Sequence, residues 1–371
     1  MNRTLSYILT LTIILSCYSA PLIAGTPFGV LKKLGALIDT LSVRGVDRQY
    51  IDNTELPWQV ILKGNINQSD LKMDVTELLD GDVLSFKPRL KTEPSSFMGI
   101  WAGYRGYGLG YTVNVGGDEG SYLTFGATGG SYGLNVRIHR FENKSPEFTF
   151  SSSIDGEDFK VKDQIEIGSP IKMRTLIANG YYLFNGRHFS YAAAYDQSVI
   201  QKRSAGSLMA GAMYYHAHIN YANNRNANLI YIMKNIGRVK LWQASIGIGY
   251  AYNWVPVNGL LVSAMAMPML TFVNDIKMFS YTTNIEELIN KENWDNNPEW
   301  PLDKMRIEKG TDETQHGSLN VNFDARLSLI YNFGRYFVNA YGQFNRFRYH
   351  HHDNKGRLND WYINASLGIR L

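Results

Sequence analysis

The chain has one cysteine, Cys17, and that absence is informative. A lone thiol cannot close a disulfide within the chain or build a multi-cysteine metal site. Charge is also scarce. Asp, Glu, Lys and Arg make up 19% of the residues, and the net charge of +4 is scattered. Nucleic-acid binding therefore has no electrostatic support. Beyond residue 24 no apolar run is long enough for a spanning helix, and mean hydropathy is -0.23, which excludes a helical membrane protein. H-E-x-x-H, Walker A and EF-hand patterns are missing too; no cofactor is expected.

Aromatic residues and glycine are plentiful, with 13% aromatics, 24 Tyr and 34 Gly. Tyr and Trp favour places where a ring meets apolar material and a polar tip meets water. From Asp360 to Leu371 the residues alternate: Trp361, Ile363, Ala365, Leu367, Ile369 and Leu371 point one way, and Tyr362, Asn364, Ser366, Gly368 and Arg370 the other. Such a strand has one apolar and one polar face. Transmembrane barrels turn the first to lipid and the second to a wet lumen, and they escape hydropathy averaging because half of each strand is polar.

The alternation recurs backward through the chain. It predicts strands near 83–91, 96–105, 107–115, 121–141, 170–184, 187–198, 204–220, 238–254, 259–274, 317–332, 335–349 and 358–371. In the clearest, Trp242, Ala244, Ile246, Ile248, Tyr250, Tyr252 and Trp254 oppose Gln243, Ser245, Gly247, Gly249 and Asn253. Leu319, Val321, Phe323, Ala325, Leu327, Leu329 and Tyr331 likewise oppose Asn320, Asn322, Asp324, Arg326 and Ser328. These faces are longer than those of average soluble strands and suit a tilted membrane crossing.

Pro256-Val257-Asn258-Gly259 and Asn332-Phe333-Gly334-Arg335 read as tight hairpin turns, whereas 221–237, 275–316 and 350–357 read as longer polar linkers. Short and long connections thus alternate, which places both chain ends on the inner side. Before residue 204 the rule weakens. Asn185-Gly186 is short where an outer loop is needed, and 142–169 is long where an inner turn is needed. The long stretch 275–316, with one or two helical turns around Ile285–Ile289, is the expected variable recognition surface.

The expected fold class is all-β: a closed antiparallel transmembrane β-barrel of about twelve strands, fourteen if 57–76 contributes, with a short N-terminal helix. That helix is read over 26–42 from Phe28, Leu31, Leu34, Leu37, Ile38 and Leu41. Residues 1–24 read as an export signal, with Arg3 in a positive n-region, Tyr7 to Ser16 as the apolar core and cleavage after Ala24. Cys17 follows Ile14-Leu15-Ser16, which resembles a lipoprotein box that Leu15 fits poorly, so both processing routes stay open. Residues 25–80 form an expected periplasmic segment and 81–371 the barrel.

Three stretches carry a family resemblance. They are Gly99-Ile100-Trp101-Ala102-Gly103-Tyr104-Arg105-Gly106-Tyr107-Gly108-Leu109-Gly110-Tyr111; Phe189-Ser190-Tyr191-Ala192-Ala193-Ala194-Tyr195 with Gln201-Lys202-Arg203-Ser204-Ala205-Gly206-Ser207; and Gly249-Tyr250-Ala251-Tyr252-Asn253-Trp254. Together they resemble an uncharacterised domain-of-unknown-function family of Bacteroidetes-type exported proteins, over most of the chain after residue 45. The resemblance implies an exported, barrel-forming protein and brings no catalytic residues.

Candidate chemistry is sparse. Gly129-Gly130-Ser131-Tyr132-Gly133 matches G-x-S-x-G, but strand-like Leu134, Val136 and Ile138 follow where a nucleophile elbow needs a helix. His216 and His218 share a strand face. They are expected in the lumen with Tyr214 and Asn220 if Met213, Tyr215, Ala217 and Ile219 face lipid, and they are the candidates for any catalytic or chelating role. His350, His351 and His352 beside Asp353 are the metal candidates; a solvated hairpin tip is the plainer reading. Lys87, Arg89, Asp324, Arg326 and Arg370 are the expected lumen charges, either biasing a pore toward anions or bracing a filled barrel. Glycines such as Gly106, Gly108 and Gly110, or Gly247 and Gly249, read as room for neighbouring aromatics.

The sequence thus points to the cell outer membrane, with outer-membrane lipid as partner, a small solute or envelope ligand as possible further partner, and no nucleic acid. A non-enzymatic role in small-solute passage or surface ligand binding leads. A lipid-modifying outer-membrane hydrolase or acyltransferase, and a soluble or lipid-anchored secreted β protein, are the alternatives. Whether the Trp242–Trp254 face turns outward or inward separates barrel from soluble body.

Overall fold

A computed structural model describes residues 45–79, 82–86, 89–117, 119–143, 147–154, 157–164, 170–220, 236–281, 310–351 and 354–371. The export signal, the helix read over 26–42 and the helical turns around 285–289 lie outside the described residues.

Twelve antiparallel strands form a closed barrel. In chain order they are β1 (Trp58–Leu79), β2 (Ser95–Tyr104), β3 (Tyr107–Gly116), β4 (Glu119–Thr128), β5 (Tyr132–Asn143), β6 (Ile171–Leu183), β7 (Ala205–Asn220), β8 (Ile236–Val257), β9 (Leu260–Tyr281), β10 (Asn320–Phe333), β11 (Tyr336–His351) and β12 (Asn354–Arg370). Each pairs with the next, and β12 closes on β1 with Ile363 opposite Ile66 and Arg370 opposite Gln59. Closure leaves no unpaired edge, the condition a sheet must meet in lipid.

The expected number is right, but two expected wall strands fall away and two others replace them. The first barrel strand is β1, not 83–91, so the barrel begins at Trp58 and not at residue 81. The stretch read as one strand over 121–141 is two, β4 and β5, turned by Gly129-Gly130-Ser131. Residues 187–198 are no wall strand; they contain a short helix, α1 (Tyr191–Tyr195). With these changes the end holding Trp58 and Leu371 obeys the connection rule, but the expected long linker over 350–357 is corrected: β11 runs to His351 and β12 starts at Asn354, and β3 and β4 are joined as closely between Gly116 and Glu119. At the end holding Trp58 and Leu371 lie four tight turns and the segment 184–204. At the far end lie the longer excursions, including a hairpin of Glu147–Ile154 with Glu157–Gln164 and a strand, Gly310–His316, paired to the tip of β9.

Tight turns are placed by backbone chemistry. Arg105 and Gly106 both adopt positive φ, 47° and 86°, the two left-handed positions of a two-residue hairpin loop whose twist matches its strands. A side chain at 106 would also strike Thr128, 2.3 Å from an ideal Cβ.

Burial follows the pleat. On β10, Asn322, Asp324, Arg326 and Ser328 are buried inside while Val321, Leu327, Leu329 and Tyr331 are exposed outside. On β8, Ile246, Ile248, Tyr250, Tyr252 and Trp254 face outward, Ile248 at 70% exposure, while Gln243, Ser245, Ala251 and Asn253 face inward. A dry soluble core with the Trp242–Trp254 face inside is therefore overturned. The apolar wall runs from Trp58, Trp254, Tyr331 and Tyr336 at the end holding the termini to Trp242 and Trp361 toward the other. Twelve residues at about 3.4 Å each, tilted about 40°, give a height of roughly 30 Å. That matches a hydrocarbon core with its aromatic borders.

Candidate functional site: the barrel lumen

The interior is filled in layers. At the end holding the termini, residues 184–204 leave β6, fold inward and return as β7. Ser190 caps α1, its hydroxyl accepting from the Ala193 amide at 3.0 Å, as N-cap serines do. Five residues make one turn and a half, too short to stand without tertiary packing. Here Tyr191, Ala192, Ala193 and Ala194 are buried against the barrel's inner wall. Gln201 accepts from the Ser190 amide at 2.9 Å, and Asn253 of β8 donates to the Ser190 carbonyl at 2.9 Å. Ile51–Asn53 adds a short antiparallel pair with Val199–Gln201.

Two wall residues pin the end of this segment. Gln59 of β1 donates to the Asp196 carbonyl at 3.0 Å and to its carboxylate at 3.2 Å. Arg370 of β12 donates from Nε to the Gln197 carbonyl at 2.9 Å and from Nη2 to Asn332 at 2.7 Å. Arg370 thus lies inside, holding the floor of the lumen.

The middle layer is an ionic and phenolic network. Arg326 and Asp324 are fully enclosed, with Arg326 Nη2 3.3 Å from Asp324 Oδ2. Tyr181 of β6 donates to Asp324 and accepts from Arg326. Arg326 Nη1 donates to the Tyr191 hydroxyl at 2.6 Å. Tyr191, Tyr195, Tyr341 and Tyr362 continue as successive ring contacts at 4.7, 5.7 and 5.5 Å. Enclosed charges persist only when paired and hydrogen-bonded, and every partner here comes from a different strand or from α1, except Asp324.

Toward the far end lies a second pair, Arg137 of β5 with Asp360 of β12 at 3.1 Å; Ser69 also donates to Asp360 at 2.9 Å. His139 stacks between Tyr122 and Phe141, at 3.8 and 4.4 Å. Sequence reading left Arg137 unassigned, although the outward run Leu134, Val136, Ile138 puts Arg137 inside by parity. Lys63 carries no assignment from the sequence because 57–76 enters only the fourteen-strand alternative, whereas the structure makes it part of β1. Nor is the lumen uniformly polar: Met209, Met213, Met265, Met267, Met269, Tyr215 and Phe347 fill one side of it.

Between the layers a cavity leaves about 70 Å³ for the centres of water molecules, room for a handful of waters. Lys63, Arg137 and Arg326 border it, together with Trp101, Asn339 and Tyr362. Lys63 Nζ sits 4.3 Å over the Trp101 ring. Trp101 Nε1 and Asn339 Oδ1 are buried without hydrogen-bond partners. The room Trp101 needs comes from glycines on adjacent strands: an ideal Cβ at Gly110 or Gly126 would approach its ring to 2.8 Å.

The remaining sequence candidates fall elsewhere. His216 and His218 face outward, because Met213, Tyr215 and Ala217 are the buried phase of β7; the expectation that the histidines line the lumen is corrected. Apolar side chains were assigned to lipid there, but the packed lumen claims them. His216 bonds to the Leu241 carbonyl at 3.0 Å and stacks on Trp242, while His218 Nε2 has no partner. Among the described residues neither ring has a hydroxyl or carboxylate within hydrogen-bond reach, so no hydrolytic constellation forms. Ser131 lies in a strand-to-strand turn, without the helix a nucleophile elbow requires. Arg89 is also corrected. It chelates Asp70, on the outward phase of β1, at 2.7 and 3.0 Å and lies at the far rim, not in the lumen. Lys87, His352 and Asp353 lie outside the described residues. His351 bonds to the His316 carbonyl at 2.9 Å, and no cluster of three metal-ligating side chains occurs among the described residues.

Solved structures with related shape include the translocator domain of the autotransporter NalP from Neisseria meningitidis, 10% identical, covering 92% of this chain and 94% of that one, with a TM-score of 0.32. The β domain of the Bordetella autotransporter Brka is 9% identical over 85% of this chain and all of that one (100%), at 0.31. The outer membrane protein OprG from Pseudomonas aeruginosa is 9% identical over 86% and 98%, at 0.26. No curated protein matches the sequence. A family model spans nearly the whole barrel with its inserted segment, residues 46–369, and the chain belongs to that family, described as Domain of unknown function (DUF4421).

Proposed function

We propose that the protein is an exported outer-membrane β-barrel, non-enzymatic, that handles a small solute or envelope ligand through a lumen closed by its own side chains. The outward apolar wall, bordered by aromatics at both ends, supports the membrane assignment. In this reading the termini and segment 184–204 are periplasmic, the long excursions are external, and the Bacteroidetes-type origin belongs to the same proposal. The observation that carries the closed state is the bridge from Arg326 on the wall to Tyr191 on the inserted segment, with Tyr181 completing it from the other side. In this reading the bridge holds the inserted segment across the lumen and blocks solute passage while it stands.

Planar-bilayer recording tests this. The wild-type chain should insert without steady current, and the Tyr191→Ala, Arg326→Ser variant should conduct. Steady wild-type conductance would refute the closed lumen, and failure to insert into any bilayer would refute the membrane assignment.

A further inference from the structure

The outer surface carries a row of basic residues at one level. Reading across β5, β6, β7, β8 and β9, Arg140 lies opposite Arg174, Arg174 opposite His218, His218 opposite Lys240, and Lys240 opposite Lys277. Adjacent strands lie about 4.8 Å apart, so the row extends roughly 19 Å. Like charges directly opposite one another destabilise a sheet, and an ordinary solvated face mixes signs. Carboxylates do serve the neighbours: Asp312 pairs with Lys277 at 2.9 Å and Arg238 at 3.5 Å, and Glu142 with Lys172 at 3.3 Å. Asp275 is taken by His316 at 2.8 Å. Arg140, Arg174 and Lys240 have no carboxylate partner among the described residues.

The position of the row selects its counter-ion. One step nearer the barrel centre, His216 stacks on Trp242, and below them the wall is apolar through Ile246 and Ile248. Cations directly above an aromatic border stand at the depth of lipid headgroups. We infer that Arg140, Arg174 and Lys240, in a row that His218 interrupts, form a binding site for membrane lipids with anionic phosphate headgroups, a phosphate bridging the facing Arg140 and Arg174 and Lys240 contributing beside it, while the acyl chains lie along the apolar wall beneath. This inference rests on the membrane assignment proposed above. A lipid is favoured over free phosphate because the charged row and the apolar wall are continuous.

The test uses the full chain folded in detergent, with native mass spectrometry against bisphosphorylated lipid A and its phosphate-free counterpart. Wild type should retain the bisphosphorylated form selectively. Arg140→Gln with Arg174→Gln and Lys240→Gln should retain it about a hundredfold less, the combined effect of three cations beside an anionic headgroup. Arg140→Lys with Arg174→Lys, which keeps the charge, should stay within about threefold of wild type; equal thermal melting of all three proteins shows that each is folded. Equal retention by wild type and the Gln variant, no preference for the phosphorylated lipid, or full displacement by inorganic phosphate would each overturn the inference. Insertion into phosphatidylcholine vesicles is scored separately. A chain that inserts but shows no preference refutes only the lipid site, whereas one that never inserts refutes the membrane assignment.

Discussion

Arg326 of β10 donates to the hydroxyl of Tyr191 in α1 at 2.6 Å, joining barrel wall and inserted segment across the lumen. Its other nitrogens serve Asp324 and Tyr181. One guanidinium thereby links two strands and the plug, a use suited to its planar fork of donors.

Arg326→Ala strands the Asp324 carboxylate, which has 0% exposure, without its cation. Removing one partner of a buried pair costs about 3–5 kcal/mol. Replacing both together, Asp324→Asn with Arg326→Gln, removes the unpaired charge and should recover at least half of that loss. Urea unfolding in detergent micelles measures both; a single variant within about 1 kcal/mol of wild type would contradict the network's role.

Gly126→Ala drives a methyl group to 2.8 Å from the Trp101 ring. Overpacking of this kind costs about 1–3 kcal/mol. Adding Trp101→Phe should relieve most of it, because the smaller ring withdraws from the wall. The readout is the same unfolding midpoint, and no relief in the double variant would show that Trp101 does not set the constraint.

Ile248 is 70% exposed and lies midway between Trp242 and Trp254. Ile248→Arg should cost about 2–4 kcal/mol when folding is titrated in lipid vesicles, whereas Leu319→Arg near the far border should cost about 0–1 kcal/mol. Equal, small effects at both sites would contradict a membrane-spanning wall.

Burial pushes the Asp196 carboxyl above the usual carboxylate range, and hydrogen bonds from Ser198 and Gln59 and the charge of Lys63 offset only part of this. A raised value in the docked state means that docking is strongest when Asp196 is protonated and is lost as pH rises through the docked value. Channel openings should accordingly become more frequent as pH rises above the ordinary carboxylate range, and Asp196→Asn should flatten the dependence. An unchanged pH profile in that variant would exclude Asp196 as the titrating group.

The barrel's later half was legible because period two is strong there: β8, β10 and β12 keep bulky apolar residues on one phase and small or polar ones on the other. The first half misled for identifiable reasons. In 187–198, Tyr191, Ala193 and Tyr195 alternate as a strand would, and five helical residues are too few to display a 3.6-residue period. β1 continues for 22 residues, and the polar run Gln68, Ser69 and Asp70 interrupts the alternation kept from Trp58 to Asn67. On β7, Tyr214 and Tyr215 are adjacent, so either phase could be the lipid face, and only packing against Phe347 at 4.0 Å resolves the choice.

Sequence alone determined the class of structure: alternating faces, tight turns and aromatic borders arise from local covalent geometry, which the order of residues dictates directly. Tertiary structure alone decided the lumen. Arg326 and Tyr191 are separated by 135 positions and Ser69 and Asp360 by 291, and no local period encodes which side chains meet across a closed cylinder. That pairing follows from closure, which forces charges facing inward to find partners among whatever residues the opposite wall and the inserted segment present.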